Sequence, residues 1–187
     1  MDKNKSLVLI LGAGNAKRMG FPKGLFIFQS KELIRWHIEM CDHLNLDYRV
    51  ILNSENQKQY MGIISDRKIL INHKVDEGPI SSVKIGLEYG ITNNFFEFYI
   101  LPIDTFPLKF ETIIKLQREK NDLTIPSFDN RLGHPPKLSQ KMAILFLSEL
   151  SHIKRLDYFF KQQEKKICLV DDAHILSNQN TTNVCSS

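Results

Sequence analysis

Hydrophobic and polar positions along this chain fall into alternating short runs and amphipathic stretches. LVLIL (residues 7–11) has no polar break, the pattern of a strand covered on both faces. SKELIRWHIEMCDHL follows, with Leu33, Ile34, His37, Ile38, Cys41 and Leu44 at helical spacing. YRVILN (48–53) predicts a strand, QKQYMGII a helix and KILIN (68–72) a strand. ISSVKIGLEYG predicts a helix with Ile80, Val83 and Leu87 on one face and Gly90 as its stop. Asp171 and Asp172 read as a turn at a strand end, and His37, His73 and Trp36 as structural residues.

FEFYILPID (96–104) is a further buried-strand candidate, and KFETIIKLQREK an amphipathic helix. DLTIP predicts a short strand ended by Pro126, KMAILFLSEL a helix and KKICLVD a last strand. Strands alternating with helices at this spacing imply a three-layer α/β domain with a mostly parallel sheet. The 187 residues suit a single domain, residues 1–187, with a polar tail from about 178. Ligands of such sheets sit at the carboxyl ends of the strands. The glycine-rich segment 12–20 and Asp104 both fall at such ends.

Composition narrows the classes. With 42% hydrophobic and 25% charged residues the chain reads as an ordinary globular protein. No stretch approaches the roughly 20 apolar residues of a membrane span. The opening apolar run is too short for a signal-peptide core, so a cytoplasmic protein is expected. Cys41, Cys168 and Cys185 form no CxxC pair, which removes a zinc ribbon or a disulfide framework. The net charge of +4 comes from scattered lysines without interleaved aromatics. That argues against a nucleic-acid groove and is compatible with a small anionic ligand.

The loop after the first strand, GAGNAKRMGFPK, carries that ligand's chemistry. A dinucleotide fingerprint needs glycine where Lys17 stands, and the next strand ends in Asn53 and Ser54 rather than an acid. No glycine pair has P-loop spacing. What remains is a glycine turn carrying Lys17, Arg18 and Lys23. Glycine lets the backbone approach phosphate oxygens closely, arginine grips them in a bidentate fashion and lysine adds a point charge. Pro22 stiffens the chain just before Lys23.

The string Gly12, Gly14, Arg18, Met19, Gly20, Pro22, Lys23 resembles the G-x-x-x-R-M-G-x-P-K signature of the MobA-like nucleotidyltransferases, which attach nucleotides to the molybdenum cofactor. The resemblance continues in order through EGPISSVKIGL (77–87), LPIDTFPL (101–108) and RLGHPPKL (131–138), the last similar to the family's cytidylyltransferase branch. It implies a three-layer Rossmann-like nucleotidyltransferase fold. It also implies transfer of a nucleoside monophosphate from a nucleoside triphosphate, CTP by branch, to a phosphorylated small-molecule acceptor such as molybdopterin. A sugar or alcohol phosphate as acceptor, or a non-catalytic nucleotide-binding protein of the same fold, are the alternatives. Neither a membrane nor a nucleic acid is an expected partner.

The resemblance assigns Arg18 and Lys23 to catalysis, and Leu11, Gly12, Ala13, Gly14, Gly78, Pro79 and Ser82 to the nucleotide. Ser81 and Ser82 read equally well as a helix cap. Gly133, His134 and Pro135 are assigned to the acceptor, although a lone histidine in a polar loop ordinarily reads as exposed. Asp104 and Asn180 are the implied ligands of Mg²⁺, with Mn²⁺ a possible substitute. Two departures stand out. Pro107 lies three residues after Asp104 rather than two, and Asn180 takes a place the family often gives to aspartate. A neutral carbonyl ligand binds a hard dication more weakly than a carboxylate.

Overall fold

The computed structural model describes residues 5–14, 21–153 and 155–177. The chain begins with β1 (Ser6–Leu11), a small hairpin of β2 (Ile27–Phe28) and β3 (Lys31–Glu32), and α1 (Leu33–His43). Next come β4 (Asp47–Leu52), β5 (Ile69–Ile71), α2 (Pro79–Thr92) and β6 (Glu97–Pro102). The second half runs α3 (Phe110–Arg118), β7 (Leu123–Phe128), β8 (Arg131–Leu132) and β9 (Lys137–Ser139). It continues with α4 (Gln140–Ser148), α5 (Leu156–Gln162) and β10 (Lys166–Leu169).

The main sheet has the order β10-β7-β9-β6-β1-β4-β5. β1 pairs in parallel with β4 and β6, β4 with β5, and β7 with β10. Among the described residues of this sheet only β9, wedged between β6 and β7, and β8, on β7, run antiparallel. The expected mostly parallel α/β sheet is present. Successive residues of β1 serve opposite faces, as the pleat requires. Val8 and Ile10 pack with Ile34, Met40, Ile113 and Leu116 of α1 and α3. Leu7 and Leu9 pack with Val83, Leu87, Met142, Phe146 and Phe159 of α2, α4 and α5. Three layers result, with each fully buried aliphatic side chain contributing about 1.5–3 kcal/mol.

Four local expectations are corrected. α2 does not stop at Gly90 but runs to Thr92, closed by Asn93 and by Asn94 at φ +57°. Gly90 instead lets the helix approach the sheet, since a β-carbon there would run into Phe98 and Leu7. The segment expected as a helix at QKQYMGII forms only a 3₁₀ turn, Gln57–Tyr60, broken by Gly62 at φ +83°. β7 continues through Pro126 to Phe128. It tolerates proline because Pro126, in register with Cys168 of β10, turns its carbonyl toward Gly133 on the other side, where position 126 falls in the gap between the Leu123–Thr124 pairing with β9 and the Ser127–Phe128 pairing with β8. Finally, Ser81 and Ser82 do not cap α2, whose N-cap residue is Gly78 at φ +74°.

Candidate active site

The carboxyl ends of β1 and β6, the middle of β7, the start of α2 and the start of α5 line a cavity of about 930 Å³. Its wall includes Leu11, Gly12, Ala13, Gly14, Lys23, Gly78, Pro79, Ser82, Asp104, Gly133 and His134. Thus residues scattered over most of the sequence converge on one space. Pro135 does not line it; its neighbour Pro136 takes the place on the wall. Arg18 and Asn180 lie outside the described residues.

The glycine segment is held from behind. The Gly12 amide donates to the Ile51 carbonyl at 2.8 Å, and Ile103 N–H donates to the Leu11 carbonyl at 3.0 Å. Asn56 Nδ2 donates to the Gly12 carbonyl and Asn53 Nδ2 to the Ala13 carbonyl, each at 2.8 Å. These bonds engage the two carbonyls that would otherwise repel an anion at the loop. A β-carbon on Gly12 or Gly24 would collide with Ile103 Cδ1. The two glycines therefore let the loop, the Lys23–Leu25 turn and the end of β6 close around one isoleucine. Gly14 is different: a β-carbon there meets nothing within 4 Å among the described residues, and the residue lines the cavity.

Asp104 sits in a turn closed by the Thr105 amide donating to the Pro102 carbonyl at 3.1 Å. Its Oδ2 accepts from Lys23 Nζ at 2.8 Å, with side chains 10% and 29% exposed. Lys23 is therefore not the free, solvent-facing ammonium that a phosphate ligand implies; the cation that meets the buried carboxylate is Lys23 itself. Below this turn His37 is buried in α1, and its Nε2 donates to the Ile103 carbonyl at 3.3 Å. Burial lowers its pKa to about 4, against smaller raising effects of the Ile103 carbonyl, Asp104 and Thr105.

At the start of α2, Asn72 is the organising side chain. Its Nδ2 donates to Ser81 Oγ at 2.8 Å and to Ser82 Oγ at 2.9 Å, while its Oδ1 accepts from the Lys74 amide. The Ser81 hydroxyl is shared between the Lys74 and Gly78 carbonyls, which leaves Ser82 as the serine on the cavity wall. His134 is largely buried rather than exposed. Burial lowers its pKa, against raising effects of Asp104 and the Ile100 carbonyl. The His134–Pro135 peptide is cis. The His134 amide donates to the Ile175 carbonyl at 2.8 Å and the Gly133 amide to Pro126 at 2.9 Å. A β-carbon on Gly133 would run into Ile175. Asp172 is a turn residue as expected, accepting from the Lys109 and His174 amides and the Thr112 hydroxyl.

The model of the MobA-like NTP transferase domain matches residues 8–167. The chain belongs to this family. No curated protein matches it. The fold is shared with molybdopterin-guanine dinucleotide biosynthesis protein A from Archaeoglobus fulgidus, at 17% identity and TM-score 0.64, over 88% of this chain and 83% of that one. It is shared with 4-diphosphocytidyl-2C-methyl-D-erythritol synthase from Anaerococcus prevotii DSM 20548, at 12% identity and TM-score 0.70, over 96% and 92% of the two chains. A Mycobacterium tuberculosis H37Rv protein in complex with manganese matches at 11% identity and TM-score 0.64, over 89% and 88%. At these identities the structural likeness speaks for the fold alone.

Among the described residues no group of three or more His, Cys, Asp or Glu side chains is placed to hold a metal. Asp104 is the carboxylate beside the glycine loop on a cavity wall that also carries Glu77 and Asp157. That donor set fits a Mg²⁺ or Mn²⁺ ion sharing its shell with a nucleotide, since such ions take one or two carboxylates and complete the octahedron with phosphate and water. It does not fit an all-protein metal cage. No helix is long and apolar enough to cross a membrane, among the described residues.

Proposed function

We propose that this MobA-like chain is a cytidylyltransferase, moving CMP from CTP to a phosphorylated acceptor with release of pyrophosphate, and that the acceptor is molybdopterin. The observation that supports it most is the meeting of the glycine loop, Lys23 and Asp104 at one end of one cavity. In the reaction an acceptor phosphate oxygen attacks the α-phosphorus, and the bond to the bridging β-phosphate oxygen breaks. Charge grows on the leaving pyrophosphate, so catalysis consists of positioning and electrostatic stabilisation.

Lys23, released from Asp104, meets the β- and γ-phosphates, with Arg18 assigned to the same charge. The backbone of Leu11 to Gly14 approaches the phosphates, and Gly78, Pro79 and Ser82 border the ribose or base. Gly133 and His134 border the acceptor; burial keeps His134 neutral near pH 7, so it acts there as a hydrogen-bonding wall rather than a cation. Asp104 would hold Mg²⁺, or Mn²⁺ in its place, with Asn180 as a second, neutral ligand. Such an ion supplies Lewis-acid stabilisation of the phosphate oxygens. The whole chain works as one cytoplasmic catalytic domain.

Transfer to a sugar or alcohol phosphate is the second reading, supported by the fold shared with the 4-diphosphocytidyl-2C-methyl-D-erythritol synthase of Anaerococcus prevotii. The deciding assay is pyrophosphate release from CTP and GTP with Mg²⁺ and molybdopterin, or sugar and alcohol phosphates. Release with CTP and molybdopterin alone is the expected result. Release only with another acceptor selects the second reading. Nucleotide binding without release under any combination selects a non-catalytic protein.

A further inference from the structure

We propose that the site favours a metal–nucleotide complex over either ligand alone through the Lys23–Asp104 ion pair, whose two charges neutralise each other until both ligands arrive. The inference rests on the nucleotide reading above. Lys23 Nζ lies 2.8 Å from Asp104 Oδ2, and both groups are half-buried or better, so each is expensive to strip of its partner. The other charged groups described on the cavity wall have partners of their own. Glu77 pairs with Lys74 at 3.3 Å, and Asp157 with Arg155 at 2.9 Å and Lys161 at 3.9 Å. The Lys165 ammonium donates to the carbonyls of Phe160, Lys161 and Gln163.

Metal-free triphosphate must therefore draw Lys23 away and leave the Asp104 carboxylate bare beside a polyanion. A divalent cation alone must displace the ammonium and leave Lys23 without a counter-charge. When the two come together, the cation takes the carboxylate and the phosphates take the ammonium, so every charge is matched. The ion pair thus couples the two ligands, and linkage makes that coupling reciprocal. It also fixes an unusual sign. Removing one charged side chain improves binding of the ligand that this side chain does not touch.

The test uses isothermal titration of CTP in EDTA, and Mn²⁺ titration followed by electron paramagnetic resonance without nucleotide. Asp104→Asn is expected to bind metal-free CTP about tenfold more tightly than the parent, within the usual span of coupling between sites. Lys23→Met is expected to bind Mn²⁺ alone about tenfold more tightly, and both variants to bind CTP with Mn²⁺ more weakly than the parent. If the parent binds CTP with Mn²⁺ but neither single-ligand affinity rises, the coupling is overturned and the nucleotide reading survives. If the parent binds no CTP even with Mn²⁺, the nucleotide reading fails and takes the selectivity with it. Circular dichroism establishes that each variant is folded, and should Asp104→Asn not fold, the Mn²⁺ titration of Lys23→Met decides.

Discussion

Two glycines in one loop answer to different masters. Gly12 is pressed against Ile103 and Leu52, so Gly12→Ala should lower stability by about 1–3 kcal/mol, read as a shifted urea midpoint with an unchanged slope. Gly14 has no such neighbour among the described residues, so Gly14→Ala should melt like the parent. Its methyl group would then stand where a phosphate approaches, and CTP affinity should fall about tenfold, roughly 1.4 kcal/mol. Equal CTP affinity in parent and Gly14→Ala would break the assignment of this loop. Lys23→Ala should reduce turnover by about 10²–10³-fold, the usual effect of deleting one preorganised charge-stabilising donor, with the fold kept. Lys23 and Asp104 were legible in the sequence because their neighbours are distinctive: a proline before the lysine, a buried strand before the aspartate. Asn53, Asn56 and Asn72 were not. A single asparagine after a strand reads as a turn, and only the folded chain shows the Asn56 and Asn53 amides holding the Gly12 and Ala13 carbonyls.

Among the elements, the long periodic ones and the apolar strands β5 and β10 were legible, whereas β8, β9 and α5 were not. β8 has two residues and β9 three, too few for alternation to show, and β9 places Lys137 in the core rather than on a surface. Its ammonium is paired with the Glu97 carboxylate at 2.9 Å, a contact between residues 40 apart in sequence that no local pattern announces. α5, with seven residues, was equally hidden, although it supplies Leu156 and Phe160 to the cavity wall. Gly90 shows how a correct element can be misread inside. Ala for Gly within a helix ordinarily stabilises by roughly 1 kcal/mol. In α2 the added carbon meets Phe98 and Leu7, so Gly90→Ala should instead destabilise by about 1–3 kcal/mol. A raised melting temperature would mean that the contact between α2 and β6 yields easily.

For the molecule as a whole, His37 links stability to pH. Its pKa is lowered from 6.5 to about 4 by burial, so between these values the unfolded chain takes up a proton that the folded chain refuses. Stability should fall as the pH drops from about 6.5 to about 4, by about 3 kcal/mol from this residue, and level off below. Urea midpoints of the parent and His37→Gln at pH 7 and pH 4.5 measure it; the parent should lose more than the variant over that interval. The bond between the His134 amide and the Ile175 carbonyl carries a consequence of another kind, for the order in which the protein is made. Ile175 follows every named strand and helix in the chain, so on the ribosome the sheet and its helices emerge before the anchor of the Gly133–His134 segment does. Ile175 is itself part of the buried core shared by β1 and α1, so the wall assigned to the acceptor is fastened only when this late-emerging residue completes that core.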